Sequence, residues 1–170
     1  MLMPINSSSI RLNILMQMQD KNSQDNIIFN SSDIFLLNEE MIENLKAIAT
    51  NHPLKRSRVC IHESIENKVH EMIIVAHKDG VIPPHKHPNG KPESYHVLEG
   101  ELKVLIYDKD GNQVDKFILS HNSHPKMYRI RGGIWHQPIP ITEWVVYHEV
   151  ATGPFDKNKD VIFLGDDNAN

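Results

Sequence analysis

Gly80-Val81-Ile82-Pro83-Pro84-His85-Lys86-His87-Pro88-Asn89-Gly90-Lys91-Pro92-Glu93 is the stretch on which the fold of this chain turns. In an extended strand successive side chains alternate, so His85 and His87 project to one face and Lys86 to the other. The turn formers Pro88 to Pro92 then let the chain fold back, and Glu93 can return a carboxylate to the same point. An isolated His-x-His is more often a pair of loop histidines beside a solvated acid, so the surroundings decide. Further along, Arg131-Gly132-Gly133-Ile134-Trp135-His136 places a histidine just beyond a glycine pair, where the backbone can bend and aim the imidazole inward. His85, His87, Glu93 and His136 are therefore the candidate ligands of one divalent metal ion. Three neutral imidazoles and one carboxylate would leave the site a net charge of about +1, with positions open for water, substrate or dioxygen. This mixed set suits Fe, Mn, Ni, Co or Zn and does not choose among them.

Outward from these residues the chain reads as all-β with a short N-terminal helix. Strands are expected at 56–62, 69–77, 95–98, 102–107, 113–119, 128–130 and 143–150, each rich in Val, Ile or Tyr and bounded by Gly, Pro, Asn or Asp. Asp110-Gly111 signals a hairpin, and Glu99-Gly100-Glu101 should turn the pair before it. Residues 38–50 set Met41, Ile42, Leu45 and Ile48 on one helical face, with Asn38 as N-cap and Pro53 as the stop. Three segments follow: an N-terminal leader or edge segment at 1–37, a domain at 38–155 that starts with the helix 38–50, and a C-terminal tail at 156–170. Within the tail, Val161-Ile162-Phe163-Leu164 is expected as an edge strand or a mobile piece.

Composition narrows the function. Among 170 residues, eighteen Lys+Arg against twenty-two Asp+Glu give a net charge of -4, without the basic excess that nucleic-acid binding needs. No apolar run reaches the roughly 20 residues of a membrane span. The single cysteine and the lack of signal-peptide features point to a cytoplasmic protein. Eleven histidines stand out, because imidazole is the commonest metal ligand.

The spacing from Gly80 through His85, His87 and Glu93 to Gly100 resembles the first motif of the cupin superfamily, and Gly133-Ile134-Trp135-His136 resembles the core of the second. Within that superfamily the chain is most similar to the WbuC family of cupin-fold metalloproteins, found among polysaccharide (O-antigen type) biosynthesis genes. The residues that carry this are Pro53, Arg56-Ser57-Arg58-Val59-Cys60-Ile61-His62, Pro84 to Pro88, Glu93-Ser94-Tyr95-His96-Val97-Leu98-Glu99-Gly100 and Glu149-Val150-Ala151-Thr152-Gly153-Pro154-Phe155. The resemblance implies a cupin double-stranded β-helix, a jelly-roll barrel, with His85, His87, Glu93 and His136 in the four ligand positions. It also implies a homodimer, for which the sequence adds the need to cover strand edges. Two positions depart from the second motif: Arg131 stands where a proline is usual, and Pro140 where an asparagine is expected. Neither removes a ligand.

Further candidates stand on strand alternation. From Glu93 the inward set is Glu93, Tyr95 and Val97, so Tyr95 belongs to the pocket while His96 faces away. Arg56, Arg58, Cys60 and His62 share one face, which either holds a carboxylate or phosphate or is the solvated face of an edge strand. Cys60 reads as a small semi-buried residue with no base beside it. His52, His70, His77, His121 and His124 read as surface or filler, and Trp135 and Trp144 as packing. Glu149 is a candidate base or partner to a ligand histidine. With Tyr95, His62 or Glu149 moving a proton, the expectation is a metal-dependent isomerase or epimerase acting on a small polar or anionic molecule, such as a sugar or nucleotide-sugar intermediate. An Fe(II)-dependent dioxygenase and a non-catalytic binding protein are the alternatives.

Overall fold

The computed structural model describes residues 26–122 and 125–166. The segment Met1 to Gln19, the tail beyond Asp166 and His124 lie outside them. Eleven strands and one helix follow in order: β1 (Ile27–Phe29), α1 (Glu39–Asn51), β2 (Arg56–Cys60), β3 (Val69–His77), β4 (His85–Lys86), β5 (Glu93–Glu99), β6 (Glu101–Tyr107), β7 (Gln113–Ser120), β8 (Met127–Ile130), β9 (Trp135–Pro140), β10 (Trp144–Thr152) and β11 (Ile162–Phe163). They form a six-stranded sheet, β1-β2-β3-β10-β5-β8, and a five-stranded sheet, β11-β4-β9-β6-β7.

The inner faces of both sheets meet in one core. Cys60, Met72, Ile74, Ala76, Tyr95, Val97 and Tyr147 come from the first sheet, and Leu102, Val104 and Leu119 from the second. A second cluster lies outside the first sheet, where Met41, Ile42 and Leu45 of α1 cover Val59, Ile73, Val75 and Val146. The helix starts where the sequence places it, because Asn38 is extended and its side chain accepts from the Met41 amide at 2.9 Å. Replacing Asn38 with Ala should cost about 0.5–2 kcal/mol in urea unfolding by exposing that amide; no change would mean the cap is redundant. Ala49 is buried on the apolar face, and Ile48 only half so.

Several elements differ from expectation for identifiable reasons. β9 carries Pro138 and Pro140, residues that argue against an interior strand. The Ile141 amide bonds Glu101, so on alternation the odd-numbered residues of β9 donate to β6 and the two prolines point their missing donors the other way. There β4 reaches only to His136, so no ladder bond is lost. Gly100 does turn the chain, but from one sheet into the other, since β5 and β6 belong to different sheets. It has φ +76, and a Cβ there would overlap the Trp144 carbonyl. β2 is not an edge strand, because β1 pairs with it in parallel from Ile27–Arg58 to Phe29–Cys60. The solvated-edge reading of the arginine stripe is therefore wrong: Cys60 lies in the inter-sheet core, and Arg56 and Arg58 share its face. Among the described residues no helix is long and apolar enough to cross a membrane.

Candidate metal centre

β4 and β9 pair at a single point, and that point is His85 opposite His136. His87 follows two residues on, and its carbonyl accepts from the Gly133 amide at 2.7 Å. This contact explains the glycine pair. A Cβ on Gly132 would overlap the Pro88 carbonyl, so the turn before β9 can lie on the His87–Pro88 backbone only without a side chain. Arg131, exposed at the start of that turn, does not prevent it. Ligand atoms of His85, His87 and His136 all lie within 4.8 Å of one another, an arrangement that could hold a metal ion.

Glu93 enters from the opposite sheet. Its carboxylate lies 2.9 Å from His87 Nε2 and 2.8 Å from His136 Nε2. The Tyr95 and Tyr128 hydroxyls each donate to it at 3.3 Å. The structure thus brings the four expected residues together, with Tyr95 beside them. His96 points to the other side of the sheet, as the alternation requires, opposite His148.

The rings are oriented from behind. His85 Nδ1 faces the Pro83 carbonyl at 2.9 Å, His87 Nδ1 that of Asp160 at 2.6 Å, and His136 Nδ1 that of Ile134 at 3.1 Å. A carbonyl accepts only, so each Nδ1 carries a hydrogen, and each Nε2 in the neutral ring offers its lone pair to the centre. Despite the nearby carboxylate, the buried Nε2 atoms of His87 and His136 have no hydrogen-bond partner of acceptable geometry. Orphaned nitrogens converging beside a carboxylate fit a divalent cation.

The charges agree. Burial, with His136 close by, lowers His85 to about 4. Burial also opposes charge on His87, but the Glu93 carboxylate outweighs it and raises this ring to about 9. Burial resists ionisation of Glu93, yet the close His136 and His87 rings hold it well below the usual carboxylate range. Without metal, the His87–Glu93 pair carries a proton that a cation would displace.

The tail forms the edge strand expected within residues 161–164, and it adds contacts behind His87 that the sequence did not disclose. β11 pairs with β4, setting Phe163 opposite His85, and the Leu164 amide bonds the Pro84 carbonyl. Asp160 is buried; its carbonyl faces His87, and its carboxylate accepts from Lys91 Nζ and the Asp156 amide. Asp160→Ala should weaken metal binding by roughly 10–100-fold in chelator competition, since the partner that orients His87 is loosened. Unchanged affinity would remove the tail from the site.

The remaining candidates separate. Glu149 lies on the inner face of β10 opposite Tyr95, half-buried. Burial and the Glu93 charge raise it to about 7, against the pull of Arg58, His87 and Arg56. Tyr95 is buried, and that burial, with Glu149 and Glu93 adding to it, pushes its hydroxyl well above 10, so it is a donor and not a base. His62 stacks on His70 at 4.1 Å, and its Nδ1 meets the Glu71 backbone. Its hydrogen bonds are to Glu71, not to the histidine cluster. Burial lifts the Cys60 thiol to about 11, leaving it a packing residue. Trp135 is buried with the Lys86 ammonium 4.4 Å over its ring, and Trp144 packs on His77 at 4.7 Å.

A family described as a domain of unknown function, DUF6016, matches residues 37–119, which include His85, His87 and Glu93 and stop short of His136. Comparison of the sequence with curated proteins finds no match. Among solved structures, the capsular polysaccharide assembling protein CapF from Staphylococcus aureus superposes with a TM-score of 0.54 at 16% identity, over 64% of this chain and 30% of CapF. Oxalate decarboxylase from Bacillus subtilis does so with a TM-score of 0.50 at 17% identity, over 64% of this chain and 27% of the enzyme. A protein from Shewanella oneidensis gives 0.51 at 8% identity, over 63% of this chain and 72% of its own. The chain spans less than a third of the length of CapF and of the decarboxylase. With two facing sheets, the histidine cluster at their meeting point and these structural neighbours, the fold is that of the cupin β-barrels.

Proposed function

We propose that this chain is a metal-dependent enzyme acting on a small anionic molecule, a sugar or nucleotide-sugar intermediate of polysaccharide (O-antigen type) biosynthesis. The observation that carries the reading is the polar inner face of the six-stranded sheet, where Glu93, Glu149, Arg58 and Arg56 share the side turned toward the five-stranded sheet and its histidines. A purely structural barrel would fill these positions with apolar groups, because burying unpaired charge is costly. His85, His87, Glu93 and His136 would hold the divalent ion, which supplies Lewis-acid polarisation of a substrate oxygen. Arg56 and Arg58 bind the anionic group through charge-assisted hydrogen bonds. Glu149, near neutrality and reached by water, exchanges the proton in place of Tyr95 or His62. The WbuC-like residues support the substrate class, and CapF, whose description names capsular polysaccharide, shares the fold.

The test is solvent exchange. Protein loaded with Mn, Fe, Ni, Co or Zn is incubated in heavy water with nucleotide-sugars, and deuterium at carbon is read by mass spectrometry. Incorporation should fall by roughly 100-fold or more in Glu149→Gln. Thermal stabilisation by the sugars without exchange would instead make this a binding protein, and metal-dependent oxygen uptake a dioxygenase. A homodimer belongs to the same proposal, since among the described residues β7 ends the five-stranded sheet with an open edge; light scattering of the full chain decides it.

A further inference from the structure

The six-stranded sheet has a second cluster of histidines on the face turned away from the barrel interior. His96 of β5 and His148 of β10 are directly opposed, with ring centroids 6.0 Å apart and ring planes within 22° of parallel. Among the described residues, four buried side-chain atoms lack a hydrogen-bond partner: His87 Nε2, His136 Nε2, His96 Nδ1 and His148 Nε2. The first two converge in the barrel centre. The other two show the same signature on the outer face, where nothing in the cupin motif accounts for them. A carboxylate is at hand here too. Glu71 of β3 places Oε1 3.7 Å from His148 Nε2, beyond hydrogen-bond distance but within reach of a shared cation.

We propose that His96, His148 and Glu71 form a second divalent metal site, on the outer face of the sheet and independent of the barrel centre. An orphaned buried nitrogen in a native fold points to a missing water or ion. Two imidazoles and a carboxylate, with water completing the set, suit Zn(II) and its neighbours better than Mg(II) or Ca(II), which favour oxygen. Both imidazoles stand on paired strands of the same sheet, so their separation is set by the backbone. Burial lowers His148, with His96 adding to it and Glu71 opposing, so this ring offers a free lone pair at neutral pH.

The experiment uses the full chain without an affinity tag, carrying His85→Ala and His136→Ala so that the barrel centre is disabled. Zn2+ is titrated by calorimetry, and Co2+ binding is followed in the visible spectrum. About one equivalent of Zn2+ should bind, vanish on adding His148→Ala or His96→Ala, and weaken on adding Glu71→Gln. No binding to the folded background, or binding that survives both histidine replacements, overturns the proposal. If the double background fails to fold by circular dichroism, the comparison moves to the otherwise unaltered chain. About two equivalents there, falling to one in His96→Ala/His148→Ala, would support the outer site; a stoichiometry that the outer replacements do not change would overturn it.

Discussion

His136→Ala is expected to abolish metal binding in the barrel while leaving the fold in place. The side chain is 1% exposed, its Nδ1 is held by the Ile134 carbonyl, and its Nε2 has no partner other than the centre it faces. Removing it deletes one of three converging imidazoles and leaves Glu93 with His87 as its remaining close imidazole. With free metal at a hundredfold over Kd, the unaltered chain should gain about 2.7 kcal/mol, a rise in Tm of roughly 5–10 °C. In the variant the part of that rise due to the barrel centre should vanish, together with the corresponding equivalent in elemental analysis. A variant that retains this equivalent would show that the cluster is not the metal centre.

Leu45→Ala should have the opposite profile, losing stability and keeping metal. Leu45 is fully buried and forms the middle of the contact between α1 and the outer face of β2, β3 and β10. Truncating a buried leucine leaves a cavity as well as losing transfer free energy, so the cost should be about 2–5 kcal/mol in urea unfolding. A loss below about 1 kcal/mol would mean that the helix is peripheral and can collapse onto the gap. Because the helix lies outside the sheet and the histidines inside, the stoichiometry of the barrel metal should not change.

These two variants also divide what the chain discloses locally from what it does not. The helix was legible because its cap and its apolar stripe are set by residues within one or two turns of each other. β3 was equally clear. β1 and β4 span three and two residues, too few for any period to register. β9 was hidden by its two prolines, and only the one-sided pairing with β6 shows why they are tolerated. The candidate ligands could be read as a set, since strand alternation fixes His85 with His87, and the turn residues 88–92 return Glu93. Asp160 could not be read, because it reaches His87 across 73 positions of sequence and acts through a backbone carbonyl that any residue possesses.

By itself, then, the sequence determined the all-β class, the helix, the histidine–glutamate set and the separation of Tyr95 from His96 onto opposite faces. All of these follow from the two-residue period of a strand, the 3.6-residue period of a helix and the restrictions of proline and glycine. Tertiary structure alone decided which face is inside. Alternation groups Arg56, Arg58 and Cys60, but whether they meet solvent or the barrel depends on where α1 lands and on β1 covering β2. The same holds for the tail behind His87 and for Glu149 opposite Tyr95. Long-range pairing brings these groups together, and its free energy comes from burying the two inner faces against each other, a sum over the whole barrel that no short stretch contains.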